Sequence, residues 1–352
     1  MRSTMRDSVV APLRWLTVVL GIAAACSVLA QSPAVAPKEA QEAATQAQQQ
    51  RNQPGNNAPL WKEIRSGEPQ TTSLPGRETN VLIQPWGQTW RAIRDGVIAV
   101  YGGWALVVVF LAVSLFYWRK GTIPLHAPLT GRKMPRFNAW ERSVHWATAI
   151  SFSILAISGL IIFFGKNVLL PLIGYTLFSW LAIIAKNLHN FVGPLFSVCI
   201  LLLFLTFIRD NFLRGYDFVW VRKFGGIISG EHVPSGRFNA GEKMWFWGGL
   251  LFLGSIVAAS GLVLDFPNFN QTRQTMQFAN IIHATASILM MMGAIGHIYM
   301  GTIGMAGAFD AMRTGYVDEA WAKEHHEYWY NDVKAGKLDG EGVAPVMAQR
   351  AV

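Results

Sequence analysis

Charged residues are scarce in this chain of 352 residues. Asp, Glu, Lys and Arg make up 14% of it, whereas hydrophobic residues make up 51%. A soluble globular chain carries about 25% charged residues, so this chain lacks the groups that keep a protein surface hydrated. Its apolar residues also stand in long uncharged runs. These features exclude a soluble enzyme, a disordered protein and a coiled coil, and they predict an all-α polytopic membrane protein.

Cysteine is scarce too. Cys26 lies in an N-terminal apolar stretch and Cys199 in the middle of a later apolar run, so neither a disulfide framework nor a cysteine-based metal site is expected. The sequence has no C-x-x-C-H motif, which excludes covalently attached c-type haem. It also has no P-loop, dinucleotide fingerprint or nucleophile–base pair, so we expect no catalytic residues in this chain.

The first 95 residues are expected to precede the membrane core. Basic residues at the N-terminus are followed by the apolar stretch Trp15–Leu29 and by the small residue Ala30. This pattern predicts a secretory signal peptide over residues 1–30, with an uncleaved anchor helix as the alternative. Residues 31–95 begin as an Ala-, Gln- and Pro-rich stretch and then regain tryptophan and aliphatic residues. We expect them to form an extra-cytoplasmic linker and a small cap.

Five later apolar runs are long enough to cross a bilayer, which takes about 20 residues. They are Val97–Tyr117, Val144–Gly165, Asn187–Ile208, Met244–Leu264 and a longer run from Phe278 to about Phe309. A sixth apolar stretch, Val168–Ala185, is separated from the next run only by Lys186, which leaves no room for a helix reversal outside the lipid. Because Pro171 and Gly174 also interrupt this stretch, it is interpreted as an interfacial or re-entrant segment.

The distribution of Lys and Arg predicts the orientation of these spans. The loops 118–143 and 209–243 carry six basic residues each, whereas 265–277 carries only Arg273. Because basic loops stay in the cytoplasm, the N-terminus is predicted outside, in the periplasm, and the C-terminus inside the inner membrane. The formal charge of +9 is explained in this way, and no nucleic acid partner is expected. The domain prediction is an extra transmembrane helix over 96–118, a core over 119–310 and a cytoplasmic tail over 311–352.

Four of the eight histidines lie within or at the ends of predicted spans: His145, His189, His283 and His297. An ionisable side chain inside a membrane is costly and is by default a functional hypothesis. The fourteen residues between His283 and His297 make nearly four turns, so both project from one helix face about 21 Å apart. By depth, His297 matches His145 near the cytoplasm and His283 matches His189 near the outer face. Two imidazoles that face each other across the interior of a helix bundle can serve as the two axial ligands of a b-type haem iron.

Other interpretations of these residues stay open. A single intramembrane histidine can instead have a hydrogen-bonded packing role. Glycines such as Gly159 and Gly193 could let a flat macrocycle approach the backbone, but small residues also serve ordinary close helix packing. The remaining histidines are expected to be solvated loop residues or subunit contacts: His126, His232, His325 and His326.

Six short motifs over residues 136–337 resemble the gamma subunit of respiratory formate dehydrogenase, a membrane cytochrome b. They are Glu141–Trp146, Leu188–Gly193, Arg237–Met244, Ile282–Thr285, Gly296–Met300 and Trp321–His326. The resemblance implies two haem b groups, one bound by His145 and His297 near the cytoplasm and the other by His189 and His283. Shorter members of the family begin just before the first of these histidines, so the extra helix and the N-terminal segment are additions.

The resemblance also implies a quinone pocket beside the cytoplasmic-side haem, formed by the turn that contains Asn239, Gly241 and Glu242. Glu242 stands where some members have Gln, so it either contacts the quinone or assists proton uptake. A simple helix N-cap, with Asn239 as the cap and Glu242 at the third helical position, is the alternative for this turn.

The implied function is an electron-transfer subunit of a formate:quinone oxidoreductase. Its expected partners are a catalytic subunit with molybdenum or tungsten, an iron–sulfur subunit, quinone and the lipid membrane, and formate oxidation itself would occur on the catalytic partner. A cytochrome b subunit of a hydrogenase or a thiosulfate reductase is the nearest alternative. A transporter or membrane anchor without redox activity is the alternative from a different class.

Overall fold

The computed structural model describes Thr45, residues 70–71 and 82–83, and the ranges 86–226, 230–269 and 271–337. The predicted signal peptide, most of the predicted linker and cap, and the end of the predicted tail lie outside the described residues.

Helices dominate the described residues. In chain order they are α1 (Gly87–Lys120), α2 (Ala139–Val168), α3 (Leu170–Asn211), α4 (Gly215–Arg222), α5 (Ala240–Asp265), α6 (Arg273–Gly304), α7 (Ala308–Thr314), α8 (Glu319–His325) and α9 (Glu327–Lys334). Within the described residues, five of them are long and apolar enough to cross a membrane, namely α1, α2, α3, α5 and α6. The predicted polytopic helical architecture with five spans is confirmed.

The start of α3 differs from the prediction. The predicted boundary at Lys186 is wrong, because α3 is helical from Leu170 onwards, apart from a break at Gly174 (φ 74°, ψ 172°). Pro171 lies in the first turn, where a missing N–H costs nothing, and only glycine readily adopts the backbone angles of residue 174. Lys186 is a good helix former and continues the helix. Residues 175–185 are therefore the first turns of the third long helix, without a re-entrant reversal.

Matching capping boxes begin α2 and α5. At α2, Asn138 Oδ1 accepts a hydrogen bond from the Glu141 backbone N–H, while Glu141 Oε2 accepts one from the Asn138 N–H, both at 2.9 Å. At α5, Asn239 Oδ1 accepts from the Glu242 N–H at 3.0 Å, and Glu242 Oε2 accepts from the Asn239 N–H at 2.7 Å. Each box satisfies two backbone donors that the first turn of a helix leaves without partners.

Arg237 joins these two helix starts. Its Nη2 donates to both carboxylate oxygens of Glu141, at 2.8 and 2.9 Å, and to the Arg136 carbonyl at 2.8 Å. Its Nη1 donates to Asp210 Oδ2 at 2.5 Å. The hydrogen bonds of this arginine thus connect the residues before α5 to the beginning of α2.

A short antiparallel strand pair connects the segment before α2 with the segment after α7. Strands β1 (Gln70–Thr71) and β2 (Leu82–Ile83) pair near the N-terminus, and β3 (Lys133–Pro135) pairs with β4 (Tyr316–Asp318). Asp318 reinforces the second pair by accepting hydrogen bonds from the backbone N–H groups of Thr130 and Gly131. The described part of the C-terminal tail is therefore packed against the protein.

The chain divides into two compact units. One comprises residues 1–101 and 263–284, and the other comprises residues 102–262 and 285–352. In the described part of the first, Trp90 Nε1 donates to Asn280 Oδ1 at 3.2 Å. The second contains α2 and α3, most of α5, and an aromatic core in which Phe204 stacks on Phe246 with their ring centres 5.8 Å apart.

Candidate functional site

His145 on α2 and His297 on α6 lie beside each other inside the larger unit, in an edge-to-face arrangement. Their ring centres are 6.2 Å apart and their planes are inclined by 61°. Trp245 of α5 stacks on His297 at 5.4 Å with an interplanar angle of 16°. The two histidines that were predicted to be partners from their depth in the membrane thus come together from two helices, and a third helix supplies the stacked tryptophan.

Both rings line a cavity of about 760 Å³, which is in the size range of cofactor and ligand pockets. Most of its wall is apolar or aromatic. Side chains from α2, α5, α6 and the C-terminal tail contribute polar groups. A mostly apolar wall with a few polar groups is typical of a ligand or cofactor pocket.

The turn before α5 lines the same cavity through Asn239, Gly241 and Glu242. Its role as an N-cap is confirmed by the capping box. Glu242 does more than cap, because its second oxygen, Oε1, accepts a hydrogen bond from Arg136 Nη2 at 3.1 Å. A side chain at residue 241 would bring its Cβ within 2.9 Å of the Trp220 ring, so glycine there allows the indole to pack against the turn.

Arg136 is a residue of this site that sequence reasoning missed, since it was counted only as one charge of a basic loop. Its side chain is 2% exposed, and it also lines the cavity. The ring centres of Trp321 and Trp329 lie 4.8 and 5.8 Å from its guanidinium carbon, as cation–π neighbours. Burial lowers the pKa of Arg136 to about 10, against the raising effect of Glu242, so the group stays cationic at neutral pH.

The tail histidines correct another expectation. The prediction that His326 is a solvated tail residue is wrong, because it is 1% exposed and its Nδ1 lies 2.7 Å from the Gly236 carbonyl oxygen. Its neighbour His325 also lines the cavity, and burial lowers the pKa of His325 to about 4. Burial also lowers the pKa of His326 well below its usual value, so both rings are uncharged at neutral pH. His126 conforms better to the expectation, since its exposed ring pairs with Glu324 at 2.8 Å.

His189 on α3 lies against α2. Its Nδ1 is 2.9 Å from Ser158 Oγ, and a Cβ added at Gly159 would lie 3.2 Å from its Cε1. His283 lies on α6, in the portion that belongs to the other compact unit. The pairing of His189 with His283 therefore stays a prediction from helix position.

A sequence model of the prokaryotic cytochrome b561 family matches residues 136–315, just over half of the 352 residues. The chain belongs to the prokaryotic cytochrome b561 family. All four candidate histidines and the turn before α5 fall within the matched range. A cytochrome b561 is a multi-pass membrane protein that transfers electrons with haem b, and haem b is accordingly the cofactor of this chain.

Individual relatives carry more specific names. The formate dehydrogenase cytochrome b556(fdo) subunit of Escherichia coli (strain K12) is 32% identical over 203 residues, which cover 56% of this chain and 92% of that protein. The nitrate-inducible cytochrome b556(Fdn) subunit of the same strain is 28% identical over 217 residues, covering 58% and 94%. The formate dehydrogenase cytochrome b556 subunit of Haemophilus influenzae is 26% identical over 209 residues, covering 56% and 82%.

The His145–His297 pair of this cytochrome b561 fits a haem. Two imidazoles bound to one metal ion at about 2 Å each have ring centres about 6 Å apart, close to the separation observed. His145 Nδ1 is buried and has no hydrogen-bond partner among the described residues, so a ligand in the cavity could satisfy this nitrogen. In the part of the chain that is described, no group of three or more His, Cys, Asp or Glu side chains converges as a metal site. A porphyrin, which supplies the remaining nitrogens itself, is thus the kind of ligand these two imidazoles suit.

Proposed function

We propose that this cytochrome b561 is the membrane subunit of a formate dehydrogenase and passes electrons from catalytic and iron–sulfur partners to quinone by way of two b haems. The observation that carries the proposal is the His145–His297 pair, which faces a cavity shared with the turn before α5. The relatives named as formate dehydrogenase subunits align with this chain over 92% and 94% of their own lengths. Formate oxidation itself is assigned to a molybdenum- or tungsten-containing partner.

Four histidines are proposed to hold the two haems. His145 and His297 ligate one, and His189 and His283 ligate the other. Haem b supplies reversible one-electron transfer when it is bound at such a pair. Trp245, stacked on His297, restrains the imidazole plane, and the aromatic lining of the cavity keeps water away from it.

Quinone is proposed to bind at the turn formed by Asn239, Gly241 and Glu242. This turn places an amide and a carboxylate on a mostly apolar wall of the cavity that His145 and His297 line. Quinone reduction takes two electrons and two protons, and Glu242 is proposed to relay protons, because its carboxylate lines the cavity and is 36% exposed, so that it can take up a proton and pass it on. The capping oxygen stays with the helix, so Oε1 is the oxygen assigned to this chemistry.

The proposed location is the inner membrane, with the N-terminus in the periplasm and the tail in the cytoplasm. Pairing of β3 with β4 supports this orientation, because α2, α3, α5 and α6 lie between the two strands and four crossings return the chain to the same side. The basic loop 118–143 and the tail then share the cytoplasmic side. Residues 1–30 are proposed as a signal peptide, 31–95 as a periplasmic linker and cap, and 96–118 as an additional span.

Haem counting on the purified chain tests this proposal. We expect b-type bands in the reduced-minus-oxidised spectrum and two haems per chain, with one lost in His145→Ala or His297→Ala and the other lost in His189→Ala or His283→Ala. A spectrum without b-type bands, or variants that all keep both haems, would refute the proposal and favour a transporter or an anchor. Co-purification identifies the donor: a molybdenum or tungsten subunit supports formate dehydrogenase, whereas a nickel–iron subunit assigns the chain to a hydrogenase.

A further inference from the structure

Ser158 on α2 is the polar partner of the candidate ligand His189. The serine is 3% exposed, and its Oγ lies 2.9 Å from His189 Nδ1. The same oxygen lies 2.7 Å from the Ile154 carbonyl and 3.2 Å from the Leu155 carbonyl on its own helix. One hydroxyl therefore contacts two backbone carbonyls and one imidazole nitrogen.

The number of protons decides the direction of these hydrogen bonds. A serine hydroxyl has a single proton, and the short contact with the Ile154 carbonyl requires that proton, since a carbonyl oxygen can only accept. Ser158 Oγ must then accept from His189, so Nδ1 carries the ring proton. In a neutral imidazole this leaves the lone pair on Nε2, which is the form that binds a metal ion.

We infer that Ser158 is a positioning residue for haem ligation: it holds the His189 imidazole in the Nδ1–H tautomer and fixes the plane of the ring. This inference rests on the proposed function, in which His189 is an axial ligand. Gly159 complements the serine, because a Cβ at that position would lie 3.2 Å from His189 Cε1. The pair Ser158–Gly159 thus offers the ring one hydrogen bond and the space to lie against α2.

The hydrogen bond also has an electronic consequence. An imidazole that donates its N–H is a more basic ligand, and a more basic ligand stabilises the oxidised iron more than the reduced iron. Ser158 therefore lowers the reduction potential of the haem bound by His189 and leaves that of the haem bound by His145 unchanged. This selectivity is expected of a residue that acts through His189.

Ser151 is a matched control on the same helix. It is also 3% exposed, and its Oγ bonds to two backbone carbonyls of its own helix, those of Ala147 at 2.7 Å and Thr148 at 3.1 Å. The hydrogen bonds found for it within the described structure include no histidine. Loss of a buried serine hydroxyl from α2 is thus common to both alanine variants, and loss of the imidazole partner is specific to Ser158→Ala.

The experiment compares Ser158→Ala, Ser158→Thr and Ser151→Ala in the purified haem-loaded protein. The readouts are haem content, the reduction potential of each haem and the low-spin ferric electron paramagnetic resonance signal, which reports ligand orientation. For Ser158→Ala we expect a higher reduction potential and an altered resonance signal for one haem only. That haem should also be bound about tenfold more weakly, which is the lower end of the effect of removing a hydrogen-bond partner of a ligating histidine. Ser158→Thr keeps the hydroxyl and should restore the wild-type values, and Ser151→Ala should match wild type throughout.

The outcomes separate this inference from the proposed function. If the wild-type protein binds no haem, or His189→Ala keeps both haems, the proposed ligand set fails. If the ligand set holds but Ser158→Ala and Ser151→Ala give the same potentials and signals, the positioning role of Ser158 is wrong. A change in the haem that His145→Ala removes would also overturn it.

Discussion

Lys243 and Asp217 form an ion pair buried at the start of α5, and its disruption offers a quantitative test of the structure. The side chains are 1% and 3% exposed, and Lys243 Nζ lies 2.7 Å from Asp217 Oδ2. The same Oδ2 accepts the Arg214 backbone N–H at 2.6 Å. The pair therefore joins α4 to the helix that carries Glu242 and Trp245. We predict that Lys243→Met is strongly destabilising.

The magnitude follows from the geometry. At this separation and an effective dielectric constant of about 20, the Coulomb attraction is about 6 kcal/mol, and it is opposed by the cost of removing both charges from water. Removing one partner of a buried pair leaves an uncompensated charge and costs about 3–5 kcal/mol. Lys243→Met should therefore cost about 3 kcal/mol, the lower end of this range, because the Asp217 carboxylate keeps its hydrogen bond from Arg214.

The double variant Lys243→Met/Asp217→Asn is the critical control. It removes both charges, while the amide oxygen introduced at position 217 still accepts the Arg214 N–H. The double variant should therefore be more stable than Lys243→Met alone and cost about 1 kcal/mol. Thermal unfolding in detergent measures both effects, with an expected decrease in Tm of roughly 6–12 °C for the single variant. A decrease below about 2 °C, or a double variant at least as unstable as Lys243→Met, would refute the assignment of a buried ion pair.

Three further predictions concern other parts of the chain. Glu242→Gln keeps a capping oxygen but loses the charge opposite Arg136. Haem content should therefore stay at the wild-type value, while KM for quinone rises about three- to tenfold, the scale of one ordinary hydrogen bond. An unchanged KM would exclude Glu242 from the quinone site. Gly174→Ala places a side chain at φ 74° and ψ 172°, where backbone strain costs about 1–3 kcal/mol. The Tm of this variant should therefore fall below that of the wild type. An unchanged Tm would show that the helix break is not at residue 174. Hydrogen bonds, of which the one from Lys334 has the largest effect, lower the pKa of Glu319 from 4.5 to about 2. The ionised Glu319 therefore stabilises the folded protein fully above the pKa of the unfolded chain, and this stabilisation is lost as the pH falls through 2. Glu319→Gln should therefore reduce Tm at pH 7, and its difference from wild type should shrink between pH 4.5 and 2; a constant difference would contradict the lowered pKa.

Much of the membrane architecture could be predicted because it depends on local composition. A span requires about 20 apolar residues whatever its neighbours are, so the number of spans follows from the runs themselves. The ends of the helices are a different matter, since a helix continues beyond the lipid until a cap or a break stops it. Helix α3 starts at Leu170 and is broken at Gly174. Hydropathy alone predicted a boundary at Lys186, because a single charged residue interrupts the apolar run there.

The candidate site was only partly accessible from sequence. Spacing along α6 and depth across the bilayer selected His145 and His297, because the helical repeat is a local property. The burial of Arg136 and His326 was missed, because it arises when the tail folds back through the β3–β4 pair. Contacts of this kind join segments far apart in the chain, and no local pattern marks them.

By itself, the sequence determined that this is a membrane protein with five spans and that four histidines lie on its helices. It did so because the bilayer sets the length of each apolar run and makes every intramembrane histidine conspicuous. The tertiary structure alone decided which polar groups meet inside the larger unit: the two imidazoles across the bundle, the Arg136–Glu242 pair at the edge of their cavity, and the serine that orients His189. Those contacts depend on how helices from distant parts of the chain pack, which is a property of the whole fold.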